Sequence, residues 1–144
     1  MKKIYSNLDP NILLHVINRY LDIGYVRKDL SPAEEFLQVS AFRMEELKTF
    51  KPHKHIRNVR ETTVTQESWV VIRGKVKVFY YDLDDTLLYT DILEEGDCTI
   101  TFNGGHTYES LREGTCVYEF KNGPYLGQEK DKVFINNIEE KQND

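Results

Sequence analysis

The sequence predicts an all-β chain forming one domain, with a short helical segment at its N-terminal end. Three observations carry this expectation. Seven segments between Phe36 and Phe120 are strand-like, rich in β-branched and aromatic residues with a period of two. Turn signals rich in glycine, aspartate and glutamate separate most of them at short, even spacing. The 144 residues, 40% of them hydrophobic, suffice for one core and leave no room for a second. Short strands bounded in this way argue for an antiparallel sandwich or barrel.

Residues 1–35 are expected to be the helical segment, packed on the barrel or on a partner subunit. Asp9 suits a helix cap, Pro10 the first helical position, and Gly24 the residue beyond the end. Ile12, Leu13, Val16, Ile17, Tyr20 and Leu21 then recur at helical spacing. Ser31-Pro32-Ala33-Glu34 reads as a capping box that starts one short helical turn. The barrel is expected over 36–138, with strands at 36–44, 69–72, 75–81, 87–93, 98–102, 106–111 and 115–120. A frayed polar tail over 139–144 completes the division. In Trp69-Val70-Val71-Ile72 both faces of a strand are apolar, so a cover outside the barrel is required. The N-terminal helix or a second copy of the chain would supply it, which makes a homodimer the expected assembly.

The net charge is -5 and the isoelectric point about 5.4. Such a chain lacks the basic surface that attracts phosphates, so no nucleic-acid partner is expected. MKKIYSNLDPNILLHV carries two lysines, but Asp9 and Asn11 interrupt any apolar leader. No stretch approaches the roughly 18 apolar residues of a membrane span. Both features point to a cytoplasmic protein without a membrane partner. Cys98 and Cys116 stand apart in apolar runs and read as reduced thiols, not as a zinc pair.

The chemistry gathers around histidine. His53 and His55 flank Lys54, and in an extended strand residues two apart project to the same face. Two adjacent imidazoles are readily explained by a shared cation. Glu67 opens the most hydrophobic strand, where an inward carboxylate needs a partner, and His106 follows the glycine-bearing turn Asn103-Gly104-Gly105. Glu61, nearer to His55, is the alternative carboxylate, in a polar, loop-like run. Gln66 should face away from Glu67, and Trp69 should share its face, most simply as a core residue.

His53-Lys54-His55, Glu67 and Gly74 together resemble the first cupin motif, and Gly96 to His106 resemble the second. The resemblance covers residues 36–126. It implies a jelly-roll barrel in which His53, His55, Glu67 and His106 bind one divalent ion: iron, manganese, zinc, nickel or copper. Eleven residues, Ile56 to Gln66, separate His55 from Glu67 where cupins usually carry only a few. With Tyr118 to Tyr125, the motifs are similar to those of the WbuC-like cupin metalloproteins of bacterial surface-polysaccharide gene clusters. The resemblance implies an enzyme acting on a small sugar-derived molecule or nucleotide sugar by isomerase- or epimerase-like chemistry. A non-catalytic sugar- or metal-binding module and an iron-dependent dioxygenase are the other readings. In a metal-free form, His55 or His53 would take a proton next to a carbonyl and Tyr108 would donate one. Arg57 and Arg60, within the 56–66 insertion, would present guanidinium groups to a substrate phosphate or carboxylate.

Overall fold

The computed structural model describes residues 1–136, so the tail expected over 139–144 lies outside the described residues. Among them the strands are β1 (Lys2–Tyr5), β2 (Leu13–Asn18), β3 (Lys28–Asp29), β4 (Ser40–Ala41), β5 (Glu67–Arg73), β6 (Val76–Tyr81), β7 (Leu87–Leu93), β8 (Cys98–Thr101), β9 (Gly105–Ser110) and β10 (Cys116–Lys121). One helical turn, α1 (Gln128–Asp131), follows them. A five-stranded sheet has the order β1-β2-β8-β5-β10, a three-stranded sheet the order β7-β6-β9, and β3-β4 form a short ribbon. Every pairing is antiparallel, as an all-β chain requires, and no sheet closes on itself.

The N-terminal helix is not formed. Leu13–Asn18 is strand β2, paired with β1 on one side and β8 on the other. Tyr20–Asp22 is a single 3-10 turn. The reason lies in the burial pattern. Five consecutive residues, Leu14 to Asn18, are buried, so apolar side chains occupy both faces and satisfy helical and strand periods at once. Asp9 does accept the Asn11 N–H at 2.9 Å, as a helix cap would. Here that bond shapes a hairpin turn, closed by the Ser6 N–H donating to the Ile12 carbonyl. The Ser31 capping box is also absent: Glu35 N–H donates to the Pro32 carbonyl in one turn, and the Ser31 hydroxyl accepts from Val39 N–H at 3.0 Å. Of the strand expected over 36–44, only Ser40–Ala41 pairs.

The two larger sheets pack face to face. Ile4, Ile17 and Val71 from the five-stranded sheet meet Val76, Val78, Tyr80 and Leu93 from the three-stranded one in a single buried cluster. Burial of this apolar area is the main force joining the layers, at about 25 cal/mol per Å². The outer side of the five-stranded sheet has its own cover. Val16, Ile100 and Phe102 pack against Leu30, with Leu37, Val39 and Ala41 at the margin. The segment around β3 and β4 thus covers β2 and β8, while on β5, the strand for which the sequence asks for a cover, Ile72 stays 48% exposed.

Candidate functional site

β5 and β9 face each other across the sandwich, and strand alternation brings Glu67, Trp69, His106 and Tyr108 into the same interior space. Register completes the set. Glu67 pairs with Thr101 and Trp69 with Thr99. Tyr80 pairs with His106 and Val78 with Tyr108, while β2 brings His15 opposite Thr101. Gly104 permits this close approach. It sits at φ 75°, and a Cβ there would stand 2.6 Å from the Tyr81 carbonyl oxygen and 3.4 Å from His15 Nε2.

Glu67 Oε1 is the hub. It accepts from Trp69 Nε1 at 2.7 Å and from His106 Nε2 at 3.1 Å. Trp69 in turn stacks on Tyr108 with ring centroids 3.9 Å apart, and the His106 and Tyr108 rings lie 5.3 Å apart. Burial alone would raise the Glu67 carboxyl; the hydrogen bond and charge of His106, then Trp69 and Lys121, outweigh it and hold the pKa below the ordinary value. Two polar atoms beside this hub are buried without a hydrogen-bond partner among the described residues: His106 Nδ1 and the Tyr108 hydroxyl. Burial is the chief cause that pushes the Tyr108 hydroxyl well above its usual value, and Thr101, which interacts with the hydroxyl without meeting hydrogen-bond geometry, only partly opposes it. Because a carboxylate only accepts, the His106 proton resides on Nε2, and in the neutral ring Nδ1 presents a lone pair. The His106 side chain keeps 24% exposure against 10% for Glu67, so the pair borders solvent at the imidazole.

Behind this pair runs a second polar layer. The fully buried His15 stacks on Tyr80 at 4.2 Å. Its Nδ1 lies 3.1 Å from Thr101 Oγ1 and its Nε2 3.4 Å from the Tyr81 carbonyl. The Tyr80 hydroxyl bonds Thr99 Oγ1. Burial dominates the titration of His15 and lowers its pKa to about 3, against the raising effect of the Tyr81 carbonyl, so His15 is a neutral structural imidazole at physiological pH.

The remaining expected site residues lie elsewhere. His53 and His55 sit in an exposed stretch without strand or helix, as do Arg57, Arg60 and Glu61. The two imidazoles stay together, rings 5.4 Å apart, and His53 Nδ1 contacts only the Lys51 carbonyl. Glu61 instead lines a surface cleft with Glu34, Glu35 and Gln66. Gln66 faces away from Glu67, as expected, donating to Glu35 Oε2 and accepting from Leu37 N–H.

The fit of a metal ion follows from these positions. Glu67 and His106 supply one carboxylate and one imidazole in contact. Among the described residues no three histidine, cysteine, aspartate or glutamate side chains converge as one ion would need. The residues as placed do not make the four-ligand set. His15, Trp69, Tyr80 and Thr99 are the site neighbours that the sequence left unassigned to it. Strand register brings His15, Tyr80 and Thr99 to the site, and Trp69 reaches it from two residues beyond Glu67 on β5. Among the described residues no helix is long and apolar enough to cross a membrane. Comparison with protein-family models, with curated proteins and with solved structures finds no match to this chain.

Proposed function

We propose that the chain is a cupin-like β-sandwich enzyme that moves a proton on a small polar, sugar-derived substrate at the Glu67–His106 pair. The observation that carries this reading is the pair of buried, unpartnered atoms beside that contact, His106 Nδ1 and the Tyr108 hydroxyl. Buried polar groups are ordinarily satisfied, and a base lone pair and a hydroxyl donor left free in one interior are the two groups an isomerase or epimerase needs. In the proposed reaction His106 Nδ1 takes the proton from a carbon next to a carbonyl. The C–H pair becomes the C=C bond of an enediolate as the carbonyl π pair moves onto its oxygen, and Tyr108 hydrogen-bonds that oxygen as negative charge grows on it. Return of the proton from His106 to the opposite face of the same carbon re-forms the carbonyl and gives the epimer; return to the neighbouring carbon, with the hydroxyl proton passing from one enediolate oxygen to the other, gives the isomer. Glu67 stabilises the imidazolium and fixes its tautomer, and Trp69 holds the Glu67 carboxylate. The base is thus His106 in place of His55, with Tyr108 kept as the donor.

The test is incubation with nucleotide sugars and simple sugar phosphates in deuterated water. Deuterium incorporation by the wild type, lost in His106→Ala and Glu67→Gln, supports the enzyme. Saturable sugar binding without incorporation would favour a non-catalytic module. Incorporation unchanged in both variants sinks the assignment of the site.

A second reading retains a divalent ion, favoured by the 5.4 Å pairing of His53 with His55. It requires the 42–64 stretch to move onto Glu67 and His106, and metal analysis of the purified protein tests it.

A further inference from the structure

A second site lies about 10 Å along β2 and β8 from the His15–Thr101 level, beyond Asn18 and Cys98, given the rise of about 3.3 Å per strand residue. There the 3-10 turn carries Tyr20, Arg43 places its guanidinium 5.3 Å from the Tyr20 ring, and its Nε donates to the Ile23 carbonyl at 2.5 Å. The chain then folds back so that Phe42 and Phe50 meet edge to face at 6.1 Å. Together with Tyr25, Arg43 and Lys48 these rings line a cavity of about 260 Å³.

Two features of this cavity are unbalanced. Phe50 and Tyr25 stay 59% and 67% exposed, so the aromatic surface lacks a partner in the fold. The cations are also in excess. Arg27 is neutralised by Asp29 at 2.9 Å, whereas Arg43 and Lys48 have no carboxylate partner among the described residues, and Glu45 is the one acid in the lining. In a chain of net charge -5, a pair of unmatched cations beside free rings is a local inversion of the surface. An exposed ring face on Phe50, set edge to face with Phe42 and flanked by positive charge, fits a ring that carries an anion. The volume holds one ring system with a phosphate, not a dinucleotide.

We propose that this cavity binds a nucleoside monophosphate, the base against Phe42 and Phe50 and the phosphate on Arg43 and Lys48. Stacking of a base on an aromatic side chain and the charge-assisted phosphate contacts each contribute measurably. The site stands independently of the Glu67–His106 reading, since it shares no residue with it.

The experiment is calorimetric titration of the full chain with adenosine monophosphate, adenosine and inorganic phosphate. Adenosine monophosphate is expected to bind at least about tenfold more tightly than either fragment. Lys48→Ala and Phe50→Ala, both at exposed positions, are each expected to weaken it about tenfold while leaving the thermal midpoint and the Glu67–His106 activity unchanged. Adenosine binding as tightly as the nucleotide would overturn the phosphate subsite. Phosphate binding as tightly would overturn the ring subsite. Absence of binding by all three, or full binding by both variants, would overturn the proposal.

Discussion

Glu67 and His106 join the two sheets of the sandwich through one hydrogen bond of 3.1 Å, from the imidazole on β9 to the carboxylate on β5. The same carboxylate oxygen accepts the Trp69 indole, so Glu67 is ionised at a position where burial opposes ionisation. Its pKa lies below the ordinary carboxyl value despite that burial. A depressed carboxyl pKa adds stability above the unfolded value, and the contribution disappears as pH falls through the folded value. Glu67→Gln should therefore cost about 1–2 kcal/mol at neutral pH, and the gap to wild type should narrow below about pH 4. Urea unfolding from pH 7 to pH 3 measures this. A gap that stays constant across the range would show that the carboxylate charge is not what binds the sheets.

The Tyr108 hydroxyl has no satisfied hydrogen bond in its buried position. Removing an unpaired buried hydroxyl while keeping the ring preserves the Trp69 stack at 3.9 Å and relieves a desolvation cost of about 1 kcal/mol. Tyr108→Phe is expected to leave stability equal or raise it by about that amount, and to lower turnover of a substrate at least about tenfold. A group kept at the expense of stability and needed for activity is the signature of a working site. Loss of stability would instead show that Thr101 satisfies the hydroxyl in solution.

The strands from β5 to β10 were legible in the sequence and the N-terminal third was not. β6 buries alternate residues, so its period-two pattern stands out, and glycines at positive φ, Gly74, Gly96 and Gly114 among them, mark the turns. β2 buries both faces, which removes the contrast that periodicity relies on. The same distinction governs the site. Glu67 and Trp69, or His106 and Tyr108, are linked by parity within a strand, and the structure keeps each couple together. His53 and His55 share a face only if residues 53–55 form a strand, and they do not. His15 reaches the interior through its register with Thr101 on β8, a long-range fact that no local pattern encodes.

His53 and His55 test whether the exposed stretch closes on the hub. As placed, their side chains make no buried contact, and His53→Ala and His55→Ala should each shift stability by less than about 0.5 kcal/mol. The same should hold with zinc added. A zinc-dependent rise in the thermal midpoint that disappears in His53→Ala, His55→Ala, Glu67→Gln and His106→Ala alike would show instead that all four residues close around one ion.

Asp97 is the anchor at the opposite end of the sheet. Only 5% exposed, it accepts from Arg19 Nη1 at 2.9 Å, from the Tyr20 N–H at 2.9 Å and from the Glu94 N–H at 3.0 Å. Arg19 also donates to Asp91 at 2.7 Å, so one arginine ties β2 to β7 and to the turn before β8. Asp97→Ala should cost about 3 kcal/mol, because it leaves two backbone donors and half of a guanidinium without acceptors. Asp91→Ala, at a more exposed partner, should cost less. Equal losses from the two variants would show that the arginine charge, and not the backbone bonds of Asp97, holds this corner.

His15 supplies the clearest pH dependence. Its pKa falls from 6.5 in the unfolded chain to about 3 in the fold, chiefly through burial, with the Tyr81 carbonyl bond opposing and the charge of His106 adding to the drop. Between those values the unfolded chain binds a proton that the folded chain excludes. Stability therefore declines as pH falls from 6.5 toward 3, by up to about 1.4 kcal/mol per pH unit. This window lies above most of the range in which the depressed carboxyls titrate, so the two contributions separate on the pH axis. His15→Phe keeps a ring to stack on Tyr80 and carries no titrating group. It should unfold more easily at pH 7, where the Thr101 bond is lost, yet lose little further stability down to pH 5. If wild type and variant decline in parallel between pH 6.5 and pH 5, the buried imidazole is not the group that sets acid sensitivity.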